Sequence, residues 1–459
     1  MRKLAILYLL FWWLPLISPS FAQEAGKGDV TPVLLPGLGN HHHAISTSNS
    51  EAQKYFDQGL MLVFSFNRAE AVRSFRRAAQ LDPAAAMPYW GMALAYGRHM
   101  NMDADMDVQD TKAYTAIQQA LALSGNASGE EQLYIHALAQ RCSKDEKADG
   151  HMLDENYAAA MTTLASHYPD DLDAWAFSLE ARMMSHRYEW FHGNMAQDDT
   201  NEIIQEIEGL LRRDPNHPLA NHLHIHILDT GHPELALGSA YRLGQVAPGL
   251  GHLVHMPSHI YFNLGDYEMT ARVNAQAAAA ERTYMKLASP GYNVYTLTYY
   301  VHDLHFVSRA RAEQGLFEEA KSYADQVADY ARPEQDQWPM ISDYYLPVPL
   351  LALLRFQRWD EFASAAGTAS QSENRGWFLA LWARAGLCSE GTEAEGTGGE
   401  SGAGKLASEH FWRCDVDAEY GASNAQPRVP GIGCAVGGRS QGCDRSVEES
   451  SQGSGCFGL

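Results

Sequence analysis

Cysteine and basic residues are scarce in this chain. Its 459 residues include six cysteines and no CxxC pair, so a cysteine-based zinc site is not expected. Lysine and arginine total 34 against 56 aspartate and glutamate residues, which gives a formal net charge of −22. Because nucleic-acid backbones are bound through clustered Lys and Arg, and no basic run follows the N-terminus, we expect no nucleic-acid partner.

Motifs of several enzyme classes are also missing. The chain has no phosphate-binding loop, no GxGxxG segment after a strand and no HExxH zinc motif. After the first residues there is no apolar stretch long enough to span a bilayer, so we expect no membrane span in the mature protein.

Residues 1–22 have the pattern of a secretory signal peptide. Arg2 and Lys3 precede an apolar stretch, and Ser20-Phe21-Ala22 forms a small-x-small cleavage site. An uncleaved anchor helix is the alternative. The expected location is therefore outside the cytoplasm, either periplasmic or secreted.

Residues 23–50 read as an N-terminal loop that contains histidine. Pro32, Pro36 and two glycines disfavour regular structure, and the loop carries Asn40-His41-His42-His43. The three consecutive histidines are interpreted either as metal ligands or as a solvated loop segment.

A spaced set of small and aromatic residues follows this loop. Gly59, Ala71, Phe75, Ala78 and Pro83 occur at offsets 0, 12, 16, 19 and 24. Small residues at such positions allow two helices to pack closely, an aromatic fills the gap to the next pair, and a proline ends the second helix.

In this pattern the chain resembles a tetratricopeptide-repeat (TPR) protein. The resemblance implies an all-α, TPR-type right-handed solenoid of about eight helix pairs over residues 51–387, and a scaffold that binds partners. The copies that fit best are 51–83, 216–248, 251–284 and 301–333, and weaker copies are 86–124, 129–169, 171–215 and 338–371.

Residues 388–459 differ in character from the repeats. This Gly-rich tail contains five of the six cysteines and shows no helical period, as in EGTEAEGTGGESGAG. It is interpreted either as a disordered tail or as a non-native end produced by a reading-frame error.

Histidines are concentrated in the second half of the repeats. Ten of the twenty lie between His217 and His305. In the segment GHLVHMPSHI, His252, His255 and His259 are three and four residues apart, which places them on one stripe of a helix. Repeat register places them, and the later His302 and His305, on helix faces that line a concave groove. In the preceding repeat, a turn shortened by one residue would bring His222 and His226 to the same groove.

Imidazoles on neighbouring helices predict a transition-metal site. Imidazole suits copper, zinc and iron, and we expect copper or zinc first, with iron as a further choice. Copper is favoured slightly by His99-Met100-Asn101-Met102 with Met106, although these Met residues could equally fill space. Asp303 and Glu180 are expected to orient ring nitrogens. The expected ligand triad is His226, His255 and His259, and the further candidates are His222, His252, His302 and His305.

Three functions stay open at this point. The first is a scaffold that binds a transition metal, or a metal-bound ligand, in the groove. The second is a metalloenzyme whose open metal position activates water or O2. The third is a scaffold that binds a protein or peptide partner without metal. The chain is also similar to exported bacterial TPR proteins that share the Gly-Asn-His loop and the GHLVHMPSHI segment; this likeness covers residues 37–370 and implies no particular activity.

Overall fold

The computed structural model of this protein describes residues 31–369, apart from 102–107, 146, 186 and 339–343. The predicted signal peptide at 1–22 and the Gly-rich tail at 388–459 lie outside these residues, as do Met102 and Met106.

The described chain consists almost entirely of helix pairs joined by short turns. The exception is a two-stranded antiparallel hairpin, β1 (Phe191–His192) and β2 (Met195–Ala196). A π-helix, Thr296–Tyr300, precedes one helix. The α-helices are α1 Ser50–Phe64, α2 Arg68–Leu81, α3 Met87–Tyr96, α4 Asp110–Leu123, α5 Gly129–Ala139, α6 Gly150–His167, α7 Leu172–Ser185, α8 Thr200–Arg213, α9 Pro218–Leu228, α10 Leu237–Val246, α11 Gly251–His255, α12 Pro257–Asn263, α13 Tyr267–Ala288, α14 Val301–Glu313, α15 Phe317–Ala331, α16 Val348–Arg355 and α17 Trp359–Ala369.

Local sequence explains where these helices begin and end. Asn49 caps α1, since its side chain accepts from the backbone N–H groups of Glu51 and Ala52. The Ser128 side chain and Glu131 form a reciprocal capping box at the start of α5. Prolines lie two residues beyond the ends of several α-helices, where they disfavour continuation: Pro83, Pro169, Pro215, Pro248, Pro290 and Pro333.

Phe75 shows how neighbouring pairs pack. This fully buried ring of α2 lies between Gly59 of α1 and Gly91 of α3. A Cβ atom on either glycine would come within 2.6 Å of a ring carbon, so only glycine allows the close approach. The helix pairs and this glycine–phenylalanine packing confirm the predicted all-α, TPR-like fold. No helix among the described residues has both the length and the apolar character needed to cross a membrane.

The histidine-rich helix predicted around GHLVHMPSHI is interrupted at its proline. It divides into α11 and α12, with Met256 between them and Pro257 at the first position of α12. Proline has no N–H to donate, so the helix hydrogen-bond ladder breaks at this point. His252 and His255 therefore lie on α11, and His259 lies on α12.

The first helix pair also contacts helices that are far away in sequence. Arg73 Nη1 of α2 donates to the carbonyl of Ala288, at 3.2 Å, and the Tyr284 hydroxyl donates to Glu70, at 3.4 Å. The N-terminal loop is likewise held, since Gly249 N donates to Gly37 O at 2.8 Å. The second helix of the first pair is thereby held against α13, and the N-terminal loop is held against the segment before α11.

Candidate metal centres

Three imidazole nitrogens converge between α9 and α11. His222 Nε2 lies 3.0 Å from His226 Nε2 and 3.1 Å from His252 Nε2. We call this cluster of His222, His226 and His252 the inner centre. A metal with nitrogen ligands at about 2.05 Å in tetrahedral geometry holds those nitrogens about 3.4 Å apart. The two separations from His222 therefore need only a few tenths of an ångström of expansion to match the ligands of an ion.

A hydrogen bond to the His222 nitrogen that points away from the inner centre fixes which of its two nitrogens carries the proton. Its Nδ1 lies 2.8 Å from the carbonyl oxygen of Phe64, which can only accept a hydrogen bond. Nδ1 therefore carries the hydrogen, and neutral His222 presents the lone pair of Nε2 to the other two rings. This is the arrangement that metal-ligating histidines adopt, with the outer nitrogen bonded and the inner one free to coordinate.

A second cluster lies one helical turn further along. His255 Nε2 lies 2.9 Å from His259 Nε2, and the His302 ring of α14 lies 4.7 Å from the His255 ring, between centroids. We call this cluster of His255, His259 and His302 the outer centre. The His252 and His255 rings stack 5.9 Å apart, so the two centres are adjacent.

A hydrogen bond also fixes the tautomer of His255 at the outer centre. Asn274 Nδ2 donates to the Thr270 carbonyl, which identifies the other amide atom as the oxygen that accepts from His255 Nδ1 at 2.6 Å. His255 therefore presents its Nε2 lone pair to His259 Nε2, 2.9 Å away. The carboxylate of Asp229 lies on the far side of the His259 ring, with its Oδ2 3.4 Å from His259 Nδ1.

Burial keeps the clustered rings neutral and so able to coordinate. It lowers the pKa of His222 to about 3, with a further contribution from the neighbouring His259. Burial, followed by repulsion from adjacent imidazoles, holds the pKa of His226, His252 and His302 well below the usual value. Protons therefore do not compete with a metal ion for these nitrogens at neutral pH.

The carboxyl group of Asp303 lies beside the outer centre, as the sequence indicated. Its Oδ1 is 3.3 Å from His255 Nδ1. Burial, and then the nearby Glu281, raise the pKa of Asp303 well above its ordinary value. Glu180, the other predicted orienting acid, has Arg141 and Arg68 as its charged neighbours.

The histidines are buried, whereas the repeat register predicted that they line a groove. His222, His226, His252 and His255 are at most 5 % exposed, while His259 and His302 are partly exposed. The Phe66 ring, in the turn after α1, lies 4.9 Å from the His222 ring and 5.0 Å from the His252 ring. The long-range packing of the first helix pair therefore covers the inner centre.

The structure regroups the expected ligand triad. His226 joins His222 and His252, whereas His255 and His259 join His302. The reason is that α9 meets α11, whereas α12 meets α14, so an ion would contact one set or the other. The seventh candidate, His305, belongs to neither set. Its ring lies against Tyr344 and Tyr345, with centroid separations of 6.0 and 6.1 Å.

Two of the three consecutive histidines of the N-terminal loop, His41 and His43, lie against Asp173 of α7, whereas the exposed His42 bonds Asp57. His41 Nε2 and His43 Nδ1 lie 3.0 and 2.8 Å from its carboxylate, and His217 Nε2 lies 3.2 Å from it. The backbone N–H of Ala220 donates to His217 Nδ1, so the His217 proton is on Nε2. This tautomer makes His217 a donor to Asp173 rather than a metal ligand. The cluster lines a cavity of about 1230 Å³ and holds the loop in place.

Several residues of the centres carry no signal in the sequence. Asn274 is one of several polar residues in α13, Asp229 directly follows the last residue of α9, and the Phe64 carbonyl is a backbone group. Phe66 has a positive φ of 58°, which a sequence pattern does not reveal for phenylalanine. Their roles depend on contacts between segments that are distant along the chain.

Comparison with known proteins adds little to this description. No protein-family model matches the chain, and no curated protein matches it. Among solved structures, a crystal structure of the P58(IPK) TPR domain is similar over 75 % of this chain and 99 % of that chain, with 14 % identity and a TM-score of 0.19. The TPR-like character of the chain therefore rests on its own helix pairs and their packing.

Proposed function

We propose that this protein binds transition-metal ions at the inner and outer centres, one ion at each. The observation that carries the proposal is the convergence of three imidazoles at each centre, with the tautomers of His222 and His255 fixed by acceptors on their outer nitrogens. These two rings direct their Nε2 lone pairs into the buried clusters, where an ion would bind them together with the neighbouring imidazoles.

Copper and zinc are the proposed ions, with iron as a further choice, because the donors are nitrogen atoms of neutral imidazoles. The proposal places the protein outside the cytoplasm, periplasmic or secreted, on the basis of the signal-like residues 1–22. TPR-like arrays serve in general as binding scaffolds. A protein or peptide that delivers or accepts the ion is therefore part of the proposal.

Metal analysis of the purified protein tests this function. The chain is prepared without a His tag, stripped with chelator, reloaded and analysed for metal per chain. We expect about two ions in the wild type and about one in the His255→Ala/His259→Ala variant. The His224→Gln variant is the matched control, since His224 lies on α9 but bonds Ser239 at 2.9 Å. A folded wild type that binds no metal after reloading would refute the proposal.

A metalloenzyme is the second candidate, favoured by the partial exposure of His259 and His302. Three histidines leave a coordination position open to an exchangeable ligand. Azide added to the copper(II)-loaded protein is expected to produce a charge-transfer absorption band, and the band should be missing in the His259→Gln variant. No band in the loaded wild type would indicate a closed coordination sphere and a binding function alone.

A further inference from the structure

Carboxyl groups accompany the outer centre. Asp303 and Asp229 lie 3.3 and 3.4 Å from the outer nitrogens of His255 and His259, and both aspartates are nearly fully buried. These two groups can supply negative charge next to the ligands of an ion.

The inner centre has a different set of neighbours. Among the described residues, His222, His226 and His252 form no ion pair, and the outer nitrogen of His222 is bonded to the uncharged Phe64 carbonyl. The nearby Glu281 accepts from the backbone N–H groups of Gly251 and His252, at the start of α11, and from the Tyr295 hydroxyl. Its interactions are therefore with the backbone and a tyrosine rather than with the imidazoles.

The two centres also differ in their contact with water. The side chain of His259 is 13 % exposed, so solvent reaches the outer centre. The ligands of the inner centre are at most 5 % exposed, and the aromatic rings of Phe66 and Tyr299 pack on the His252 ring at 5.0 and 4.8 Å. An ion at the inner centre is surrounded by imidazoles and aromatic rings.

Charge then decides which ion each centre accepts. The free-energy cost of moving an ion from water into a protein interior scales with the square of its charge, so a divalent ion costs about four times as much as a monovalent one. Neutral imidazoles cannot offset this cost with negative charge. Zinc with three histidines also takes a water as its fourth ligand, and the inner centre is closed to solvent.

We propose that the inner centre is a copper(I) site and that the outer centre is a divalent site, suited to zinc or copper(II). This inference rests on the metal binding proposed above and assigns a different ion to each centre. Copper(I) has a single charge and is stable with three nitrogen ligands. The protein therefore holds two different ions side by side, selected by charge rather than by ligand type.

Separate titrations with zinc(II) and with copper(I), the latter under anaerobic conditions, test the assignment. Each uses the full chain with a chromophoric competing chelator. His222→Gln removes an inner ligand while its amide can still donate to the Phe64 carbonyl, and His259→Gln removes an outer ligand. His224→Gln is again the control.

The wild type is expected to bind one zinc ion tightly and one copper(I) ion. His222→Gln should weaken copper(I) binding by about 100-fold and leave zinc affinity unchanged. His259→Gln should weaken zinc binding by about 100-fold and leave copper(I) affinity unchanged. Two zinc ions of similar affinity in the wild type, or loss of zinc in His222→Gln, would overturn the assignment while leaving metal binding intact. Absence of both ions from the folded wild type would overturn the proposed function as well.

Discussion

Asn274 offers a sharp test of the tautomer argument. Its oxygen accepts from His255 Nδ1 at 2.6 Å, which directs the Nε2 lone pair toward the outer centre. Asn274→Ala removes this acceptor without touching any ligand. Loss of an outer hydrogen-bond partner typically lowers metal affinity by 10- to 100-fold, or about 1.4–2.7 kcal/mol.

The structure indicates where in this range each variant should fall. In Asn274→Ala, Asp303 Oδ1 is still 3.3 Å from His255 Nδ1 and can take over as acceptor, so about a tenfold loss is expected. The double variant Asn274→Ala/Asp303→Ala has neither acceptor, and a loss of about 100-fold is expected.

The assay is zinc competition against a chromophoric chelator, with thermal unfolding as the check on folding. Asn221→Ala is the matched control, since Asn221 is also fully buried and its Nδ2 donates to backbone carbonyls, of Pro215 and His217. It should lower stability without changing zinc affinity. Wild-type affinity in the double variant would show that the outer nitrogen of His255 does not govern the site, and the reasoning would fail.

Three further predictions concern packing, pH and ligand-linked stability. Gly91→Ala should lower the free energy of unfolding by about 1–3 kcal/mol because its Cβ would meet the Phe75 ring, whereas Gly125→Ala, with open space around it, should be close to neutral in chemical denaturation. Burial lowers the pKa of His41 and His43, but their hydrogen bonds to Asp173 outweigh it and raise both values. Burial likewise raises the pKa of Asp173, but the hydrogen bonds from His217, His41 and His43 outweigh it and hold that pKa well below 3.8. Attachment of the N-terminal loop should therefore be strongest below pH 6.5 and weaken as pH rises through the raised pKa values of His41 and His43. It should also weaken in strong acid, as Asp173 becomes protonated. Hydrogen exchange of residues 37–49 measures the attachment, and in Asp173→Asn these residues should exchange fast at every pH. Zinc at 100 times its dissociation constant should stabilise the protein by about 2.7 kcal/mol, which is measured as a rise in Tm. The rise should be smaller in His259→Gln, and an unchanged Tm in the wild type would contradict zinc binding to the native state.

The helix pairs were predictable because their determinants are local. The spacing of Gly59 and Phe75 acts within one helix pair, and each proline acts on the helix end that it follows. The break at Pro257 follows from the same local chemistry. These features depend on backbone hydrogen bonding and on close packing of adjacent segments, both of which a single sequence records.

The grouping of the histidines was not predictable in the same way. Helical spacing and repeat register predicted His252, His255 and His259 on one stripe of a groove, whereas the structure divides them between the two centres. Register could not show that Phe66 covers the inner centre or that His302 completes the outer one. Contacts of this kind join segments that are far apart in the sequence, and the hydrogen bond between Phe64 and His222 spans 158 residues. His41 and His43 of the N-terminal loop likewise contact Asp173, which is more than a hundred residues away in the sequence.

The hydrogen bond between the Phe64 carbonyl and His222 also has a consequence for how the protein is made. In most repeat arrays each unit contacts only its neighbours, so folding can proceed unit by unit as the chain is synthesised. Here the inner centre needs the turn after α1, the ligands on α9 and α11, and Tyr299. A chain that emerges N-terminus first must wait for more than two hundred further residues before this centre can be completed. Metal binding at the inner centre would therefore occur late in folding, after these distant segments have packed together, and would not nucleate folding.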